Sequence, residues 1–408
     1  MERYDLVIRR ARLRSGATRD IGVAGDRIAA IAERLDAAGG MTIDAGGRLV
    51  TESFVNPHLH LCKVYTAAMI DEAAIHAYHG AGMANAASAI DLAARVKAKY
   101  DESWIAPNAR RAAALAALHG NLHIRAFADV DTKARLEGVK ALLRVREEFR
   151  GIVDLQIVAF AQDGIVREPG AAELLREAMA LGADVVGGIP WIEVGDADRA
   201  AHVRECFDLA REFDADVSML LDDAGDARLR TLELMARTAI DRGWEGRALA
   251  HHARAMALYD DAYLGELLPL LRRARVPVVT DPHTGPLHAR VRELLGAGLT
   301  VCLGQDDVAD AYYPFGRNNL LEVAFLAAHL LWMTTRAEME TLYDMVTVAA
   351  ARAINLDDYG LAVGKRADLV VLDAPDVLEA LRDHAPPAHV IARGKLVDPA
   401  AMRRLAAA

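Results

Sequence analysis

Apolar residues follow two different patterns along the chain. Near both ends they form short runs or alternate with polar residues. Leu6-Val7-Ile8-Arg9, Asp20-Ile21-Gly22-Val23, Ile28-Ala29-Ala30-Ile31 and Met41-Thr42-Ile43-Asp44 read as strands, with Gly25-Asp26-Arg27 as a tight turn. Ala367-Asp368-Leu369-Val370-Val371-Leu372 and His389-Val390-Ile391-Ala392 read the same way, and the turn Arg393-Gly394-Lys395 follows the second. Strand-rich ends around a different middle predict one small β-sandwich from residues 1–50 and 360–408, since chain ends often meet at a surface.

Between residues 51 and 359 the pattern changes. Apolar strands are expected at 124–130, 155–162, 185–190, 217–221, 248–252, 278–281 and 301–306. Amphipathic helices such as 171–181, 199–213, 229–242 and 263–274 separate them. The strand starts recur at roughly 25–32 residues, the length of one βα unit. With the apolar run before His58 they make eight, which predicts an α/β fold with a (β/α)8 barrel as its main body. An Ala- and Gly-rich excursion, 67–99, is expected to cover the active site or to meet another subunit.

Most of these strands turn polar where they end. His58 and His60 close the first, Gln162-Asp163-Gly164 the third, His251-His252 the sixth, Asp281-Pro282-His283 the seventh and Gln305-Asp306-Asp307 the eighth. Each has a structural explanation by itself. Asp306-Asp307 suits a helix N-cap. His251 and His252 suit one core and one surface position, and Gln162-Asp163-Gly164 suits a turn. Together on successive strand ends they predict a pocket at the catalytic face of the barrel, because burying so many polar groups without a use is costly. His58 and His60, at i and i+2 of an extended chain, present two imidazoles on one side. With Asp306 they form a candidate set of metal ligands, and His252 is a further candidate.

Composition narrows the function. The chain has 408 residues, 53% hydrophobic and 26% charged, with a net charge of −10. An acidic balance argues against nucleic acid as a partner. Cys62, Cys206 and Cys302 are odd in number and widely spaced, so they suit a reducing cytoplasm rather than a disulfide framework. Met1-Glu2-Arg3-Tyr4-Asp5 lacks the apolar stretch of a signal peptide, and the greasy segment 320–333 is too short to span a membrane.

Longer strings carry a resemblance. Residues 54–60 (Phe-Val-Asn-Pro-His-Leu-His), 154–164, 181–190, 301–308 and Tyr313-Pro314-Phe315-Gly316 are similar to the cytosine deaminase branch of the amidohydrolase superfamily. Lys63 is similar to the triazine-ring members. The resemblance covers most of the chain. It implies a metal-dependent hydrolase of a C–N bond in a cyclic or heterocyclic small molecule, and a homo-oligomer. It also implies one Zn or Fe ion held by His58, His60 and Asp306, with His252 and Asp306 as catalytic groups and Gln162 reading the substrate. Departures from the pattern are specific. Ser218 stands where relatives carry a metal-binding His, Leu221 where they carry a proton-shuttling Glu, Phe127 where they carry His, and Gln305 where His precedes the strand-eight Asp. The apolar replacements Phe127, Met219 and Leu221 imply a substrate less polar than cytosine, contacted also by Lys63 and Gln162. Asp306, His252, His283, a burial-lowered Lys63, Asp222 or Asp223 are candidates to replace the missing shuttle, and Cys62 is a candidate fourth ligand. The alternatives are a small-molecule binder or assembly protein that has lost hydrolysis, and a lyase or isomerase on the same scaffold.

Overall fold

A computed structural model describes residues 3–36, 40–70 and 95–407. The expected cover or subunit contact at 67–99 therefore lies largely outside the described residues. β1 (Leu6–Arg12), β2 (Thr18–Ala24), β3 (Arg27–Ala32) and β4 (Met41–Asp44) form one sheet in the order β3-β2-β1-β4. β5 (Val50–Glu52) leads into β6 (Phe54–Leu59). The apolar run before His58 is thus two strands, broken at Ser53, which donates its backbone N–H to the Asp368 carbonyl at 2.9 Å. His58 lies inside β6, not beyond its end.

β6 opens an eight-stranded parallel sheet. It continues through β7 (Asn121–Asp129), β8 (Asp154–Phe160), β9 (Val185–Gly188), β10 (Asp216–Leu221), β11 (Ala248–His252), β12 (Val278–Thr280) and β13 (Val301–Leu303), in chain order. Helices such as Glu137–Glu148, Ala171–Leu181 and Asp261–Ala274 lie between successive strands, as the 3.6-residue periodicity requires. The expected eight-stranded barrel is present. Several strands stop sooner than their apolar runs suggest, because residues such as Asp281 and Gln305 leave the ladder to face the mouth. β14 (Leu369–Val371), β15 (His389–Ala392) and β16 (Lys395–Leu396) join β5 in the order β16-β15-β14-β5. Both ends of the chain therefore supply sheet, and Leu6, Ile8, Ile21, Leu369 and Ile391 share one apolar core between the two sheets.

The barrel closes where β13 meets β6. The His60 N–H donates to the Asp306 carbonyl at 2.8 Å, and the Asp306 N–H donates to the His58 carbonyl at 2.9 Å. Pro57 has no N–H to offer, and the β6–β7 register shifts between Asn56 and Leu59. Buried Asn56 repairs the seam: its Oδ1 accepts from the N–H of His58 at 3.3 Å and of Gln305 at 3.1 Å. At the opposite end Val55, Leu249, Val279 and Cys302 pack on Ala350, Ala351 and Ile354, so the barrel is a filled core. Asn56→Ala leaves two buried N–H groups unpartnered, and the expected destabilisation is about 2–4 kcal/mol in urea unfolding.

A buried ionic cluster ties the lower rim to the terminal sheets. His123 lies 3.5 Å from Asp154 and 3.3 Å from Asp368, and Arg366 and Arg393 pair with Asp154 at 2.9 and 2.7 Å. Burial alone would lower the His123 pKa, but the two carboxylates outweigh it and raise it. Burial alone would raise Asp368, but His123 and Arg366 outweigh it and lower it. His123 therefore stabilises fully below its unfolded value of 6.5, and this is lost as pH rises through the elevated folded value. Asp368 stabilises above its unfolded value of 3.8, and this is lost as pH falls through the depressed folded value. Asp368→Asn is expected to make both limbs of the stability–pH curve shallower, measured by urea midpoints from acid to alkaline pH.

Candidate functional site

Barrel closure sets the first half of the site. With Asp306 bridged to Leu59, its carboxylate is brought against the two imidazoles of β6. Asp306 Oδ1 lies 3.0 Å from His58 Nε2 and 3.7 Å from His60 Nε2. One ligand atom from each of these three residues lies within 4.8 Å of the others, and all three are buried. Gly304 makes room: a Cβ there would stand 2.8 Å from the His58 Cβ. Asp222, His252 and Asp306 leave their strands with φ of 48°, 67° and 65°. Asp and His tolerate this left-handed region better than most residues. Such turns redirect a side chain at a strand end, and they persist only where the surroundings hold them.

The His252 Nδ1–H donates to Asp281 Oδ1 at 2.8 Å. Arg254, just beyond β11, spans the neighbouring carboxylates: its guanidinium is 3.0 Å from Asp281, 3.2 Å from Asp223 and 3.7 Å from Asp306. The Thr284 hydroxyl lies 2.6 Å from Asp281 and 2.9 Å from Asp306. Burial pushes His58 and His60 well down, so both are neutral with lone pairs to give. Burial, with Asp307 and Asp281 close by, pushes the Asp306 carboxyl well up. His252 behaves oppositely. Burial would lower it, but Asp281, Asp223 and Asp306 raise it to about 9. Two neutral imidazoles and a carboxylate, buried and converging, are a donor set that fits a divalent cation. His252, Asp281 and Asp306 form a second group of that kind, but the Arg254 guanidinium already compensates it.

The other half of the mouth is built around Lys63. Its Nζ donates to Gln162 Oε1 at 3.0 Å and sits over the Tyr312 ring at 4.5 Å, while Gln162 Nε2 donates to the Tyr312 hydroxyl at 3.1 Å. Burial would lower the Lys63 pKa, but Asp129, Asp307 and Asp310 outweigh it and raise it, so Lys63 remains an ammonium and is no proton shuttle of lowered pKa. Phe127 stacks edge-on against His58, with centroids 4.5 Å apart, and also meets Phe160 and His251. Beside Thr284 a groove of about 350 Å³ opens between His283, Tyr312, Tyr313 and Phe315.

Residues 41–398 match the model of the amidohydrolase family. The chain belongs to the amidohydrolase family. It is 31% identical over 397 residues to N-isopropylammelide isopropyl amidohydrolase of Pseudomonas sp. (strain ADP), covering 97% of each chain. Among solved structures it is similar to 5-methylcytosine deaminase from Klebsiella pneumoniae, with TM-score 0.88, 32% identity, and coverage of 96% of this chain and 97% of that one. N-isopropylammelide isopropylaminohydrolase from Burkholderia multivorans gives TM-score 0.81, 30% identity, and coverage of 96% and 97%. This protein is thus an amidohydrolase-type hydrolase of C–N bonds, in a metal-dependent family.

Other expected residues of this amidohydrolase sit differently. Ser218 faces the barrel interior one layer below the histidines, where the buried Arg125 guanidinium donates to its hydroxyl at 3.1 Å. Arg125 also reaches Gln156 at 2.9 Å and Asp216 at 3.3 Å. Strand alternation then puts Leu220 toward the interior and Leu221 toward the helices. Cys62 is no fourth ligand: its thiol accepts from the Asp129 N–H at 3.3 Å and touches the Tyr100 hydroxyl, and burial raises its pKa far above the ordinary value. His251 is not a surface residue. Like His252 it is buried, and its ring is 4.5 Å from that of His58. Gln162-Asp163-Gly164 is indeed a turn, pinned by Glu193, which accepts from the N–H groups of Ile165, Val166 and Arg167 and bonds His202 at 2.8 Å.

Arg254, Thr284, Glu193 and Arg125 were missed by the pattern reading. Only Arg125 had a visible signal, as a lone charge inside an apolar strand. Ser218→His is expected to gain no metal affinity and to lose about 1–3 kcal/mol, because an imidazole must displace Arg125 from a filled layer. Metal titration and urea unfolding of the variant measure both.

Proposed function

We propose that this amidohydrolase cleaves an exocyclic C–N bond of a nitrogen heterocycle, replacing an amino substituent with oxygen from water. The observation that carries this reading is the convergence of His58, His60 and Asp306 within 4.8 Å, next to His252. His58, His60 and Asp306 would hold one divalent ion, Zn or Fe. When bound, that ion supplies Lewis acidity that brings the pKa of a water toward neutrality. His252, fixed by Asp281, holds a donor beside Asp306 and orients the attacking water. Gln162 and Lys63 read the polar edge of the ring, as an amide and a cation in fixed relation. Phe127 supplies an apolar wall against the histidines, consistent with a ring less polar than cytosine. The named relatives act on N-isopropylammelide and 5-methylcytosine, both nitrogen heterocycles, which supports this class for the chain.

Three further assignments accompany this reading. The three buried free cysteines suit a reducing cytoplasm, and no helix among the described residues is long and apolar enough to cross a membrane. The enzyme works as a homo-oligomer. Residues 1–50 and 360–408 form a unit apart from the catalytic barrel of 51–359, with β5 at the junction. His58→Ala is expected to lose both the metal and at least ~100-fold of the turnover. Elemental analysis, and amine release from N-isopropylammelide, 5-methylcytosine and related aminotriazines and aminopyrimidines, provide the check. Full activity in metal-free protein would refute the reading.

A further inference from the structure

The groove beside Thr284 runs up to the cluster of His58, His60 and Asp306 but contains none of the three. It holds about 350 Å³, and Pro282, His283, Tyr312, Tyr313, Phe315 and Leu330 form most of its wall. That volume lies within the ~300–1,000 Å³ of small-molecule sites. Among the described residues no charged side chain lines it. We propose that this groove seats an aryl group carried on the departing nitrogen, so that the enzyme releases arylmethylamines in preference to small alkylamines or ammonia. The assignment rests on the hydrolase reading above.

Thr284 ties the groove to the reacting centre. Its hydroxyl is 2.9 Å from Asp306 Oδ2, and 2.6 Å from both Asp281 Oδ2 and Arg254 Nη2. Tyr312 ties it to the ring-reading pair, since its hydroxyl accepts from Gln162 Nε2 at 3.1 Å. One wall therefore touches the ligand carboxylate and another touches the amide that reads the ring. A ring held by Gln162 and Lys63, with its reacting carbon beside Asp306, sends the substituent of that carbon between the two walls.

The walls favour an aromatic occupant. His283, Tyr313 and Phe315 form a row of edge-to-face rings, with centroids 5.4 and 5.5 Å apart and planes at 79° and 68°. A further aromatic ring joins such a row with a gain beyond its buried area. The rim is open to an apolar group, with Phe315 67% exposed and Leu330 52% exposed. Neighbouring large apolar side chains left exposed mark a binding surface. The loop that carries the rings is held in place. Asp310 Oδ1 accepts from the N–H groups of Tyr312 at 2.9 Å and Tyr313 at 3.1 Å, and the Ala309 N–H donates to the Phe315 carbonyl at 2.7 Å. Rings set before a ligand arrives lower the ordering cost of binding it. An isopropyl group has no π face to offer this row, whereas a benzyl group does.

The bond change is the one already given. Water adds its oxygen to the ring carbon, and the C–N bond breaks with its electron pair going to nitrogen. The nitrogen takes one proton from that water and leaves, from a benzylamino ring, as benzylamine.

The test uses metal-reconstituted full-length enzyme and one aminotriazine ring bearing an amino, an isopropylamino or a benzylamino group. Wild type is expected to show kcat/KM for the benzylamino compound at least ~10-fold above that for the isopropylamino compound. Phe315→Ala is expected to cut this benzyl-to-isopropyl ratio at least ~5-fold, chiefly through KM, and Phe315→Tyr to keep it. A ring bearing both an amino and a benzylamino group is expected to release benzylamine. The proposal fails if either ratio falls short of these values, or if the doubly substituted ring releases ammonia instead. The selectivity of wild type and the product of the doubly substituted ring need no variant, so they decide the matter even where a substitution impairs folding. Metal-loaded wild type that is inert on all three forms, and on the heterocycles named above, overturns the hydrolase reading itself and the groove assignment with it.

Discussion

The backbone seam between β6 and β13 is the constraint on which the site depends. Two main-chain hydrogen bonds to Asp306 close the barrel, and they run to the same two residues whose imidazoles face the Asp306 carboxylate. Closing the sheet and assembling the donor set are therefore one event. Pro57 would break an ordinary ladder there, and Asn56 supplies the missing acceptor from its side chain. A ligand set built this way is held by the stiffest part of the fold, which is what a preorganised site requires.

Around that seam the mouth divides into two ionic halves, centred on the buried side chains of Arg254 and Lys63 among carboxylates. Arg254 serves Asp223, Asp281 and Asp306, and Lys63 serves Asp129, Asp307 and Asp310. The imidazoles between them stay neutral because burial disfavours their charged forms. His252 is the exception, since three carboxylates face it. This leaves a small region where neutral donors, a carboxylate and a cationic imidazole meet.

The polar residues inside the barrel are linked rather than independent. A serine on strand five makes space for a buried arginine from strand two, and that arginine uses the hydroxyl. Leu221, by contrast, is turned away from the pocket by strand alternation.

Periodicity determined much by itself. The βα spacing counts strands, and polar residues at the ends of apolar runs mark the catalytic face, because a parallel barrel strand is buried everywhere except at its tips. His58, His60, Gln162, His252 and Asp306 were legible for that reason. What only the tertiary structure decided is direction. Asp222 and Asp223 are neighbours of identical chemistry, and a single left-handed residue makes one a helix cap and aims the other at His252. Arg254 and Thr284 sit in irregular segments where no period assigns a face, and they act only because the barrel brings strands six, seven and eight together. Local sequence specifies which elements form. Which side chains meet across the mouth follows from closing the ring, an interaction between residues some 250 positions apart.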